Sequence, residues 1–279
     1  MNLEKMIELA YQEDIPKGDI TTDALKLGEL SGDARLIAKE DLVLAGCDVF
    51  TACAKYVAPE CQVRWQFKDG DLALKQQTVC WLKGGFSQLL KLERVALNFL
   101  GRLSGIATLT RCFVLETRGT ECKILDTRKT TPLWRELEKA AVRAGGGQNH
   151  RMNLSDAVLI KENHIRAAGG IEAAVRTLRA NFTGPIEIEC ATIEEVRAAV
   201  ALKVQRLLLD NMSNDAIRAA RAVIPSTIEV EASGNMQLER IASVAALGVD
   251  FISVGALTHS APCADLSLLF DISSLKGKK

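Results

Sequence analysis

PIEIECATIEEVRAAVALKVQRLLLDNM, residues 185–212, decides how this chain is read. Its first apolar run alternates: Ile186 and Ile188 point one way along a strand, Glu187 and Glu189 the other. The helical pattern TIEEVRAAVAL follows, then a second apolar run, QRLLLDNM, with Asp210 at its end. Strand, amphipathic helix, strand at this spacing is a βα unit feeding a parallel sheet. Buried parallel strands are usually apolar on both faces, and this one carries two carboxylates on one of them. Such carboxylates need cations, a metal or hydrogen-bond donors. TIEVEASG, 227–234, repeats the alternation with Glu229 and Glu231.

The same texture extends on both sides. CKILDTRK (122–129), DAVLIKEN (156–163) and DFISVGAL (250–257) are further strand candidates. GGIEAAVRTLRA (169–180), NDAIRAARAVI (214–224) and QLERIASVAALG (237–248) are amphipathic helices between them. Nearly every strand candidate ends in a functional group: Arg128 and Lys129, Lys161, Glu189, Asp210, Glu231 and Ser233, Gly255. A (β/α) barrel builds its site from strand C-termini all round one rim. An open doubly wound sheet concentrates its site at one switch point. The pattern therefore predicts a barrel, with Lys161 and Arg128 in its lumen answering the carboxylates. Two edge strands with a solvated face are the alternative reading of the Glu-bearing runs.

The first part of the chain is different. NLEKMIELAYQE (2–13) has helical spacing, PKGDITT (16–22) breaks it, and ARLIAKEDLVLAG (34–46) and CQVRWQFKDGDLAL (61–74) read as strands with turns. KLERVALNFLGRLSGIATLTRCFVLET (91–117) predicts one long helix, interrupted near Gly101 or Gly105. We expect an α/β protein of two domains. Residues 1–110 form an α+β domain ending in a bridging helix. Residues 111–279 form the (β/α) barrel, with the C-terminal tail a candidate to return to the first domain.

Composition narrows the function. Lys plus Arg and Asp plus Glu each number 35, so there is no basic excess of the kind that nucleic-acid binding requires. No apolar run is long enough to span a membrane, and the start lacks the pattern of a signal peptide. Eight cysteines without a C-x-x-C pair predict reduced thiols acting as small hydrophobes in the cytoplasm, not a zinc site.

The candidate chemistry is a matter of charge. Arg128, Lys129, His150, Arg151 and Lys161 form a cationic set, and Glu189, Asp210 and Glu231 an anionic one. Ser233-Gly234-Asn235 and Gly255-Ala256 are small-residue turns after late strands, where backbone N–H groups favour a phosphate. Together they suggest one substrate with a phosphate and hydroxyls, and a second that is a small acid whose carboxylates Arg and Lys would clamp. Glu189 and Asp210 could hold hydroxyls or Mg²⁺. Each residue also has a plain reading: Lys161 as a surface lysine, His150 as a loop histidine, His164 as structural support, His259 as a loop cap. No nucleophile–base pair is evident.

At these residues the chain resembles the quinolinate phosphoribosyltransferases, also called nicotinate-nucleotide pyrophosphorylases (carboxylating). EDIPKGDITT, ERVALNFLGRLSGIAT, ILDTRKTTP, AVRAGGGQNHRMNLSDAVLIKENHI, LLLDNM, EASGN and FISVGALTHSAP carry the resemblance, in order and over nearly the whole chain. It implies an N-terminal α/β sandwich, an incomplete TIM-like barrel, and a homodimer with shared active sites, higher assembly being left open. The implied substrates are quinolinate and phosphoribosyl pyrophosphate (PRPP), with Mg²⁺ as cofactor and nicotinate mononucleotide, pyrophosphate and CO2 as products, on the route to NAD. Arg94 matches the arginine that the neighbouring subunit contributes to the quinolinate pocket. Arg128, Lys129, His150, Arg151 and Lys161 match the remaining cations. Glu189 and Asp210 match the acids near ribose and metal, and with Lys161 they are the catalytic candidates. Ser233, Gly234 and Gly255 match the 5′-phosphate loops. Leu133 stands where the family usually has glycine, Gln148 where histidine is common, and the frequent tyrosine after Lys139 is missing. Rival readings are a related phosphoribosyltransferase with another acidic acceptor and a barrel lyase forming a Schiff base on Lys161.

Overall fold

The computed structural model describes residues 2–27 and 30–276. In chain order its elements are α1 (Leu3–Asp14), α2 (Ile20–Ala24), β1 (Ser31–Ala38), β2 (Leu42–Val43), α3 (Cys47–Val57), β3 (Gln62–Trp65), β4 (Leu72–Ala73), β5 (Thr78–Gly85) and α4 (Phe86–Glu116). There follow β6 (Lys123–Leu125), α5 (Arg135–Ala144), β7 (Val158–Ile160), α6 (Glu162–Ala168), α7 (Ile171–Asn181), β8 (Ile186–Cys190) and α8 (Ile193–Ala201). The last elements are β9 (Arg206–Asp210), α9 (Asn214–Val223), β10 (Glu229–Ser233), α10 (Leu238–Ala245), β11 (Phe251–Ser253), α11 (Ala256–His259) and β12 (Leu266–Lys276). They form two compact units. One comprises Met1–Leu109, Pro132–Gly146 and Ala261–Lys279, the other Thr110–Thr131 and Gly147–Ser260. Beyond the break near residue 110, the candidate tail 261–279 groups with the first unit, and so does 132–146, which the sequence division leaves in the second.

The first unit is built on a four-stranded antiparallel sheet, β12-β1-β5-β3, beside the small β2-β4 pair. Residues 266–276, which the sequence pattern does not mark as a strand, pair along nearly the whole of β1. Leu36, Ala38, Leu82 and Cys80 are buried on the sheet, against a core that includes Phe50, Leu89 and Leu100. Asn2 caps α1 by accepting from Lys5 N–H, and Asp19 caps α2 from Thr22 N–H. Within α4 the helix runs unbroken through Gly101 and Gly105. Those glycines admit another segment instead: Ala264 N–H donates to Gly101 O at 2.9 Å. A Cβ on Gly105 would lie 1.8 Å from Pro262 O. Leu133 adopts φ +70°, a backbone state that costs a branched side chain ~1 kcal/mol or more and that glycine adopts freely.

The second unit holds six parallel strands in the order β6-β11-β10-β9-β8-β7. Strands β7 to β11 run consecutively, and β6, the earliest, lies beside β11, the latest. That is the cyclic order of a barrel, broken only between β6 and β7; a doubly wound sheet would reverse its order part-way. Gln148 extends the β6 edge through its backbone, donating to Ile124 O at 2.8 Å and accepting from Asp126 N–H at 3.2 Å. The helices α7 to α10 bury Val175, Val196, Ile217 and Ile241. Their caps follow from sequence: Thr192 with Glu195 makes a capping box for α8, and Ser213 caps α9. The fold is thus the expected incomplete TIM-like barrel, accompanied by an α+β unit. Among the described residues no helix is long and apolar enough to cross a membrane, and all eight cysteines are free.

Candidate active site

The C-terminal ends of the six strands open on one cavity of about 750 Å³ within the second unit. Arg128, Lys129, His150, Arg151, Lys161, Glu189, Asp210, Ser233, Gly234, Asn235, Gly255 and Ala256 all line it. Every rim residue singled out from sequence is therefore brought to one place. Arg94 is not among them; it is an exposed residue of α4 in the first unit.

The rim is tied together by its own polar groups. Lys161 Nζ lies 2.7 Å from Glu189 Oε2. The Lys161 backbone N–H donates to His164 Nδ1 at 3.0 Å, so His164 shapes the turn into α6. Thr258 Oγ1 donates to Lys129 O at 2.8 Å. A Cβ on Gly255 would sit 3.1 Å from both Lys129 Cδ and His259 Nε2. Because β6 neighbours β11, Lys129 thus belongs with the late, phosphate-type turn. Arg128 and Arg151 lie close enough for the charge of one to act on the other. Burial and then the Arg128 charge lower the Arg151 pKa, as two cations sharing a site must.

Beneath the rim lies a charged floor that differs from expectation. Glu231 lines the same cavity as Glu189 and Asp210 but is fully buried at its base. Its cationic neighbours are His150 and Arg206. His150 Nε2 lies 3.4 Å from Glu187 Oε2 and 3.5 Å from Glu231 Oε2, and Arg206 Nη1 lies 3.7 Å from Glu231 Oε2. Arg206 also stacks over the Phe251 ring at 4.1 Å and reaches Glu229 at 2.7 Å. Sequence reasoning passed over Arg206 because it begins its strand, away from the rim. Asp126, also buried, accepts from His150 N–H at 2.9 Å and from Asn149 Nδ2 at 2.5 Å.

His150, Glu187 and Glu231 bring three potential metal-ligand atoms within 4.8 Å of one another. The imidazole argues against an ion there. Its Nδ1 accepts from Arg151 N–H at 2.7 Å, so the hydrogen sits on Nε2 and faces the carboxylates. A metal-bound histidine has the opposite arrangement, donating from its second nitrogen. The trio is a buried cluster of one imidazole and two carboxylates. Burial and then the Glu187 charge raise the Glu231 pKa, against His150, Ser253 and Arg206. Burial works to lower the His150 pKa, but Glu187 and Glu231 together carry it upward.

Both shifts mean that the folded chain binds protons more tightly than the unfolded one. Their combined effect favours folding at acidic pH and is lost as pH rises through the raised values. We expect the thermal midpoint of Glu231→Gln to fall less than that of the unsubstituted protein between about pH 5 and about pH 8.5. Parallel curves would remove Glu231 as the source.

A barrel whose strand ends carry a cationic arc, paired carboxylates and two backbone turns defines an enzyme for small, anionic, phosphate-bearing substrates. Comparison with known proteins makes this specific. Residues 19–104 match the model of the N-terminal domain of quinolinate phosphoribosyl transferase, and residues 106–269 that of its C-terminal domain. The chain is 42% identical over 261 residues to a probable nicotinate-nucleotide pyrophosphorylase (carboxylating) of Synechocystis, covering 92% of this chain and 88% of that one. It is 40% identical to the Bacillus subtilis protein of the same name, covering 98% and 95%. The solved nicotinate-nucleotide pyrophosphorylase of Ehrlichia chaffeensis superposes with a TM-score of 0.93 at 37% identity, covering 97% of this chain and 99% of that one. That of Francisella tularensis gives 0.92 at 37% identity, covering 96% of each. The chain belongs to the quinolinate phosphoribosyltransferase family.

Proposed function

We propose that this protein transfers the phosphoribosyl group of PRPP to quinolinate and releases pyrophosphate and CO2, forming nicotinate mononucleotide for NAD synthesis. One observation carries the reading within the site. Two groups of residues suited to anions share a single cavity, Arg128, Arg151 and Lys161 in one and the Ser233–Asn235 and Gly255 turns with Lys129 in the other. Glu189 and Asp210 stand between them. A dicarboxylate and a phosphorylated sugar fit that division. Lys161 is half-exposed and ion-paired with Glu189, unlike the desolvated lysine that a Schiff-base lyase needs.

In the proposed reaction Arg128 and Arg151 hold the quinolinate carboxylates so that the ring nitrogen faces the anomeric carbon. The turns at 233–235 and 255–256 hold the 5′-phosphate. The nitrogen lone pair forms the N–C1′ bond as the C1′–O bond to pyrophosphate breaks. Glu189 and Asp210 face the positive charge that grows on the sugar and stabilise it electrostatically. The C2–carboxylate bond then breaks, CO2 leaves, and the electron pair remaining on C2 takes up a proton. Binding two anions side by side in the correct geometry is the main contribution of the protein.

Glu189 and Asp210 offer hard oxygen donors, partly buried at neighbouring strand ends. Without a third protein ligand they suit Mg²⁺, which keeps waters and shares substrate oxygens. Bound there, the ion would offset the charge of the leaving pyrophosphate. A homodimer with shared sites is part of the same proposal, with exposed Arg94 as the residue given to the partner, in a cytoplasmic setting.

The direct test incubates the protein with quinolinate, PRPP and Mg²⁺. Pyrophosphate, CO2 and nicotinate mononucleotide should appear in equal amounts. No product, or equal turnover of a monocarboxylate pyridine, would reject the assignment.

A further inference from the structure

We infer that Asn211 is a positioning residue: it locks the carboxylate of Asp210 to the Ser233–Asn235 turn, so that acid and phosphate site are set as one piece. The inference rests on the proposed reaction for its ligand, but the lock itself is a matter of geometry. Asp210 and Ser233 end adjacent parallel strands in register. Asn211, the next residue, turns into the left-handed region at φ +55°. There its backbone N–H donates to Ser233 O at 2.9 Å. Its side chain then works in two directions. Nδ2 donates to Asp210 Oδ2 at 2.7 Å, and Oδ1 accepts from Asn235 Nδ2 at 3.2 Å. Gly234, at φ +87°, packs directly on this amide. A Cβ there would lie 2.3 Å from Asn211 Oδ1 and 2.8 Å from its backbone N.

The residue type follows from these demands. Few side chains tolerate a left-handed backbone, and asparagine is foremost among them after glycine. Among them, the asparagine amide is the short neutral group that donates from one atom and accepts at the next. Aspartate would fit the space and the backbone, but would set a second carboxylate against Asp210. Glycine would keep the turn and lose both side-chain bonds. Since Asp210, Asn211, Ser233, Gly234 and Asn235 all line the cavity, a shift in this lock moves the sugar hydroxyls relative to the phosphate.

The test compares Asn211→Asp and Asn211→Gly with the unsubstituted protein, using ribose 5-phosphate and, separately, quinolinate in titration calorimetry without Mg²⁺. We expect ribose 5-phosphate to bind at least ~10-fold more weakly to Asn211→Asp than to the unsubstituted protein, and more weakly by a smaller factor to Asn211→Gly. Quinolinate binding should stay within about 2-fold, because Arg128 and Arg151 are untouched. In turnover the KM for PRPP should rise while that for quinolinate holds. Normal ribose 5-phosphate binding by Asn211→Asp overturns the inference. So does equal weakening of both ligands, which would mark a general structural role, or no ribose 5-phosphate binding by the unsubstituted protein. If that protein binds ribose 5-phosphate but forms no nicotinate mononucleotide, the proposed reaction fails and the calorimetric comparison still decides the lock.

Discussion

Replacing Lys161 or Arg128 by alanine should lower the rate of pyrophosphate release from PRPP and quinolinate by at least ~10²-fold, with the fold intact. The structure explains why the loss should be chemical and not a collapse of the turn. Lys161 contributes its backbone N–H, not its side chain, to the bond with His164 that shapes the start of α6. Alanine keeps that donor. What goes is the ammonium 2.7 Å from Glu189, which leaves the carboxylate facing two incoming anions with one fewer cation. Arg128 is half-buried at the end of β6 and shares its site with Arg151, whose pKa its charge lowers. Its removal takes away part of the field that holds the acid in place. Circular dichroism and the thermal midpoint should match those of the unsubstituted protein while steady-state turnover falls. Near-normal turnover in both variants would show that the arc of cations does not act on the reacting groups.

How far the site could be read from sequence depends on the distance from the rim. Strand C-termini in a βα series must converge, so Arg128, Lys161, Glu189, Asp210 and Ser233 could be placed from their positions alone. The floor could not. Alternation shows that Glu187 and Glu231 share a face type, but not that His150 drops between them or that Arg206 reaches Glu231 from the start of its strand. Those are pairings across three strands and a loop, set by barrel closure. The closeness of Lys129 to Gly255 is hidden for the same reason, since chain order separates what closure brings together. Asn211 is not legible in the sequence because a left-handed turn at a single asparagine leaves no periodic trace. The domain division was only partly legible. Helix α4 and the strands of the first unit follow from local pattern. The return of 132–146 to that unit is a long-range event without a local mark, and that of 261–279, a candidate from sequence, is marked by glycines whose purpose the pattern does not disclose.

Gly105 is the sharpest of those marks, and Gly105→Ala should destabilise the protein by ~2 kcal/mol or more, a fall of at least ~4 °C in the thermal midpoint. Helix propensity points the other way. An alanine inside a helix is favoured over glycine by about 1 kcal/mol, and on sequence alone Gly101 and Gly105 look like weak points where α4 breaks. The helix is continuous through both. Their missing side chains make room for the segment at 261–264, which Gly101 holds by accepting from Ala264 N–H, and which Arg102 holds by donating to Ala261 O at 2.8 Å. A methyl on Gly105 would meet the Pro262 carbonyl oxygen at 1.8 Å, and backbone cannot swing aside as a flexible side-chain end can. At Gly101 the nearest atom, Ala264 O, is 2.9 Å away. Gly101→Ala should therefore cost less than Gly105→Ala. Thermal melts of the two variants read the ranking directly. If Gly105→Ala melts at or above the unsubstituted protein, propensity governs the position and the close approach of the 261–264 segment to α4 is wrong.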